Sequence, residues 1–189
     1  LAGMIKWYQR CMAARPLLTQ MITSGTISGA GDVIAQFAIE KRTLKEYDAL
    51  RTARFVVLAG GIIAPILNRW FFVLEKIRSG PAMLVPLKRL AVDQVFFAPG
   101  FNAFILVCLR VLEGYSPADA VAQCKRDWFG IWSTSIKVWP VANLFNFYLV
   151  PLQMRVVFVQ FVALFWNSYL SYVTQAKLPT KAHPHEADY

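Results

Sequence analysis

Asp32 is out of keeping with its surroundings. It stands inside the apolar run GAGDVIAQF, residues 29–37, with Gln36 one helical turn beyond it. On a helix, Gly25, Gly29, Asp32 and Gln36 fall at i, i+4, i+7 and i+11 and so share one face. Gly25 and Gly29 form a GxxxG step, which lets another helix approach closely. A central Asp in hydrocarbon costs roughly 2.5–3.5 kcal/mol on insertion scales, so Asp32 must face neighbouring helices or water. Two readings stay open. One is a structural ion pair with Arg69, Arg110, Lys137 or Arg155; the other is a group lining a solute path.

The same tension recurs along the chain. Asp93 and Gln94 stand near the start of an apolar segment, and Lys137, Asn143 and Asn146 interrupt another. Gln153, Gln160, Asn167 and Thr174 recur every seven residues, with Ser171 close by in angle, giving a narrow polar stripe on an apolar helix. As packing, such amides stitch helices together at about 0.6 kcal/mol each; as lumen lining, they wet a path. Pro65, Pro99, Pro140 and Pro151 supply bends or packing points where backbone groups are freed.

Catalytic constellations are missing. The only histidines, His183 and His185, lie in a polar tail, and GxSxG, HExxH and Gly-rich phosphate loops are absent. The expectation is a protein that is not an enzyme and needs no cofactor or metal. Cys11, Cys108 and Cys124 show neither CxxC spacing nor an even count.

The elements that position these residues are membrane helices. The apolar fraction is 57% and the charged fraction 16%, against about 45–50% and about 25% in average soluble domains. The net charge of +9 comes without a basic run interleaved with aromatics, so direct nucleic-acid binding is not expected. A helix needs about 20 apolar residues to cross a bilayer, and residues 17–39, 55–74, 90–109 and 156–173 qualify. Residues 131–150, with the Trp139-Pro140 step, form a doubtful fifth segment, either broken or re-entrant. The reading is an all-α polytopic membrane bundle over residues 1–176, with a disordered polar tail at 177–189.

Residues 139–171 resemble the C-terminal signature of the Mpv-seventeen / twenty-two-kilodalton peroxisomal membrane protein family, WPxxQxxNFxxVPxxxR followed by WNxYLS. Trp139, Pro140, Asn146, Phe147, Val150, Pro151 and Arg155 match, as do Trp166, Asn167, Tyr169, Leu170 and Ser171. Upstream, Pro16 and Thr19, then Gly31, Asp32 and Gln36, then Arg51 and Arg54, then Asp93, Gln94 and Pro99 match in order. The chain departs from the family at Asn143, where a Gln is usual, and at Ile5, Ala64 and Asn68. The resemblance is nearest the Mpv-seventeen branch. It implies four transmembrane helices, no cofactor, and a channel in the mitochondrial inner membrane or, alternatively, the peroxisomal membrane. It further implies association with mitochondrial DNA maintenance and reactive-oxygen handling.

The function expected is therefore a channel or pore for small hydrophilic solutes. Four packed helices leave little lumen, so a homo-oligomer is expected within the lipid bilayer. The alternatives are a non-conducting scaffold and a coupled metabolite carrier.

Overall fold

The computed structural model describes residues 2–81, 83–150 and 155–176. No strand occurs among them, and they form six helices. Helix α1 is Ala2–Ala14. Helix α2 runs over 16–39, ending in a wide π-turn at Ala35–Ile39. Helices α3 (Ala49–Leu74) and α4 (Val85–Leu112) are long and apolar enough to cross a membrane. Helices α5 (Pro117–Leu149) and α6 (Arg155–Ala176) complete the chain.

Local chemistry sets the helix ends. Asp48 caps α3 by accepting the backbone N–H of Arg51, and Ser116 caps α5 by accepting that of Asp119. Gly114, at φ +88°, turns the chain out of α4 in the left-handed conformation that favours glycine.

Two prolines change helix pitch without ending the helix. Pro65 follows a π-turn at Leu58–Ile63, and Pro99 follows one at Asp93–Phe97. A proline ring clashes with the carbonyl four residues back, and a wider turn relieves that clash. Pro140 behaves differently. Helix α5 continues through it for 33 residues, about 50 Å at 1.5 Å per residue. The expected break at Trp139-Pro140 is therefore absent, and residues 131–149 belong to one continuous helix.

Packed pairs run α2–α3, α3–α4, α4–α5, α5–α6 and α6–α2, which closes a ring of five helices. Leu106 of α4 meets Cys124 and Ile131 of α5 and Leu170 of α6. Leu109 meets Phe55 and Leu58 of α3. Glycine permits the tightest crossing. A Cβ on Gly60 would lie 2.7 Å from the Met21 carbonyl oxygen, and the Gly25 Cα is 3.5 Å from the same point.

The outside of the bundle is apolar. Phe72, Phe96, Phe129, Leu149 and Phe161 are all at least 59% exposed, while Asp32, Gln36, Arg51 and Arg110 are buried. Large exposed hydrocarbon side chains around a buried charged interior invert the water-soluble pattern and suit a lipid surround.

Candidate functional site

Three polar clusters hold the sequence-predicted residues. The first joins α2, α3 and α6 around Asp32, which is fully buried. Arg51 donates from Nε to Asp32 Oδ1 at 2.7 Å. Its Nη1 and Nη2 grip the Glu40 carboxylate at 3.0 and 2.7 Å, and Nη2 also reaches the Ser171 hydroxyl at 2.9 Å. Ser171 donates in turn to Asp32, as does Thr52. Gln36 donates to Asp32 Oδ2 at 2.8 Å and accepts the Asp48 backbone N–H at 2.8 Å. Each Asp32 oxygen is thereby satisfied, which is the condition for holding a charge away from water.

The ion-pair partner of Asp32 is thus Arg51, correcting the four candidates expected from the sequence. Arg69 and Lys137 are exposed, Arg110 serves another cluster, and the side chain of Arg155 lies outside the described residues. Arg51 wins on geometry. It sits one turn into α3, on the same face as buried Phe55 and Leu58.

The second cluster closes the far end of α4. Arg110 donates to Glu113 Oε2 at 2.8 Å and to the Thr174 carbonyl at 2.7 Å, and it faces Asp127 of α5 at 3.7 Å. A cation against the last carbonyls of α6 is favoured by the helix dipole. Gln175 donates to the other Glu113 oxygen.

The third cluster borders a cavity of about 230 Å³ between the end of α3, the start of α4 and α5. Glu75, Arg89, Asp93 and Asn143 line it with Phe71, Leu74, Pro86 and Leu90. Asp93 accepts Trp70 Nε1 at 2.7 Å and the Gln94 amide at 2.8 Å. The Trp70 ring stacks on Phe97, which stacks on Phe101. Asp93 therefore keeps its place at the π-turn while remaining partly open.

The remaining predicted residues scatter. Asn167 stands where α6 crosses α2, with its Cβ 2.7 Å from where a Gly31 Cβ would be. Gly29 faces Val56 of α3, so the GxxxG pair fits α2 to α3. Asn146 is buried, with Oδ1 lacking a donor among the described residues. Lys137 is exposed and does not line the Asp93 cavity, which corrects its expected place in a polar interior. Its flexible stem lets an ammonium group lie along hydrocarbon and reach water. The described members of the seven-residue stripe and the neighbouring Ser171 make contacts within the bundle. Thr174 turns its hydroxyl back to the Leu170 carbonyl, and Ser171 is spent on Asp32 and Arg51. The Gln160 side chain, Pro151, Gln153 and the 177–189 tail lie outside the described residues. Among the described residues no group of three or more His, Cys, Asp or Glu could hold a metal ion.

An apolar exterior, membrane-length helices and a ring held by buried charge define an integral membrane helix bundle. The sequence model of the Mpv17 / PMP22 family matches residues 110–171. The chain is 45% identical to the mitochondrial inner membrane protein Mpv17 of Caenorhabditis briggsae, covering 92% of this chain and 94% of that one. It is 46% identical to that of Caenorhabditis elegans, over 90% and 93%, and 40% identical to that of Homo sapiens, over 87% and 94%. The chain belongs to the Mpv17 / PMP22 family. No solved structure matches it.

Proposed function

We propose that this protein is a multi-pass channel of the mitochondrial inner membrane for small hydrophilic solutes, with its solute path through the Asp93 cavity. The location follows the relatives, each called a mitochondrial inner membrane protein. The observation that carries the conducting reading is the cavity itself, where Glu75, Arg89 and Asp93 face one space between apolar helices. Intramembrane charges of this kind mark solute pathways. The Asp32 cluster is assigned the opposite role, a clamp that holds α2, α3 and α6 together. A homo-oligomer supplies the lumen that one ring lacks. The family's association with mitochondrial DNA maintenance and reactive-oxygen handling is then a downstream effect of solute supply.

A non-conducting scaffold is the second reading. Its support is that Asp32, Gln36 and Ser171 are all consumed in helix-to-helix contacts. Purified protein in planar bilayers separates the two. Discrete conductance steps in KCl support the channel. Silence at every potential from folded protein overturns it, and saturable exchange without steps assigns a coupled carrier instead.

A further inference from the structure

The Asp93 cavity differs from the other two clusters in how its charges are matched. Arg51 and Arg110 each lie within 4 Å of a carboxylate, at 2.7 and 2.8 Å. Among the described residues no ion pair joins Arg89 to Asp93 or Glu75, although all three line one cavity. Arg89 spends Nε on the Ile77 carbonyl at 3.2 Å and Nη2 on the Glu75 carbonyl at 3.3 Å, while Nη1 has no partner among the described residues. The Glu75 carboxylate and the Asn143 amide have no hydrogen bond among the described residues. Three residues further on, on the same side of α5, the buried Oδ1 of Asn146 also lacks a donor.

Asp93 accepts hydrogen bonds from Trp70 and Gln94 but meets no cation among the described residues. Charges of both signs without an ion-pair partner among the described residues, lining one small cavity, specify a ligand that carries both signs. We infer that the cavity binds a small zwitterion, an α-amino acid with an apolar side chain; this rests on reading the cavity as the solute site. The ligand carboxylate meets Arg89 Nη1, and its ammonium meets Asp93 and Glu75. The apolar side chain lies on Phe71 and Leu90. Size and charge exclude the larger anions. A volume of about 230 Å³ is below the roughly 300–1,000 Å³ of drug-sized sites. Two carboxylates against one guanidinium repel a polyphosphate. A simple amine leaves Arg89 unanswered, and a simple acid leaves both carboxylates unanswered.

The test is calorimetric titration of the full chain in nanodiscs with L-leucine, 3-methylbutylamine and 4-methylpentanoate. A site built to bond a group rejects an analogue lacking it. L-leucine is therefore expected to bind at least about tenfold more tightly than either analogue. Asp93→Asn is expected to weaken leucine by about tenfold and to narrow its advantage over the acid. Asp93 also holds Trp70, so Glu75→Gln serves as the second variant, since Glu75 is exposed and its carboxylate makes no hydrogen bond or ion pair among the described residues. It is expected to weaken leucine severalfold with unfolding unchanged. Equal affinity for the three compounds, no leucine binding by folded protein, or unaltered leucine binding in both variants overturns the inference. Conductance in KCl without amino acid is read separately. Leucine binding without conductance upholds the zwitterion site and overturns the channel; conductance without leucine binding does the reverse.

Discussion

Arg51 and Asp32 are 19 residues apart in sequence and 2.7 Å apart in space, joining α3 to α2 by a buried ion pair. The same guanidinium holds Glu40 at 2.7 Å, so one cation compensates two carboxylates. Glu40 is in turn held by Arg42 at 2.8 Å. Removing one partner of a buried pair is costly because the other charge is left uncompensated.

The two sides of this pair are therefore unequal. Arg51→Gln leaves fully buried Asp32 without a cation and Glu40 with Arg42 alone, and is expected to destabilise the fold by about 3–5 kcal/mol. Asp32→Asn leaves Arg51 on Glu40 and is expected to cost about 1–3 kcal/mol, the scale of a disturbed buried hydrogen-bond network. Unfolding in mixed micelles by titration with a denaturing detergent reads the difference. Equal losses, or a larger loss for Asp32→Asn, contradict the arrangement.

Adjacent glycines give a second contrast. A methyl group at Gly60 meets the Met21 carbonyl oxygen at 2.7 Å, which is backbone and cannot swing aside, whereas at Gly61 it meets nothing within 4 Å. Gly60→Ala is expected to force α2 from α3 and cost about 1–3 kcal/mol. Gly61→Ala is expected to be neutral or to gain up to about 1 kcal/mol, because alanine loses less backbone entropy in a helix. The same unfolding assay checks both.

What the sequence reveals here depends on contrast with the surroundings. Asp32 is conspicuous because hydrocarbon cannot tolerate it, and its need for a partner follows at once. Arg51 is camouflaged in the charged stretch EKRTLKEYDALRTAR, where every neighbour makes another Arg unremarked. One signal is present all the same: Arg51, Phe55 and Leu58 share a helical face, which places the guanidinium inward with the apolar side chains. Asp93 and Asn143 are each suspect as polar residues in apolar segments. Their meeting across one cavity depends on how α4 packs against α5, which no local spacing encodes. Pro140 reads as a break because proline ends helices in water; in a bundle the freed carbonyl can be answered by neighbours.

The loop between α2 and α3 carries a pH-sensitive turn. The backbone N–H of Thr43 at 2.9 Å, and then its hydroxyl at 2.8 Å, hold the Glu46 carboxyl below its ordinary value of 4.5. A lowered folded-state value means the stabilisation is complete above that ordinary range and is lost as pH falls through the lowered one. The Thr43 amide proton resonance is expected to hold steady near neutrality and to move upfield on acidification below the ordinary carboxylate range. In Glu46→Gln that titration disappears. A Thr43 resonance that shifts identically in both proteins rejects the turn as its cause.

Conductance offers the sharpest separation between the clamp and the cavity. Asp93 lines open space, so under the proposed channel reading its charge acts on the permeating ion. Asp32 is fully buried and neutralised by Arg51, so its charge is spent inside the protein. In planar bilayers, Asp93→Asn is expected to lower the cation-to-anion permeability ratio by roughly fivefold. That is the effect of a unit charge about 8 Å away in water, about 0.5 kcal/mol in favour of the cation and about as much against the anion. Asp32→Asn is expected to leave that ratio unchanged in every molecule that folds, reducing only the fraction of protein that conducts. Reversal potentials under a KCl gradient measure both variants directly. A selectivity change confined to Asp32→Asn would move the solute path from the α3–α4–α5 cavity to the α2–α3–α6 cluster.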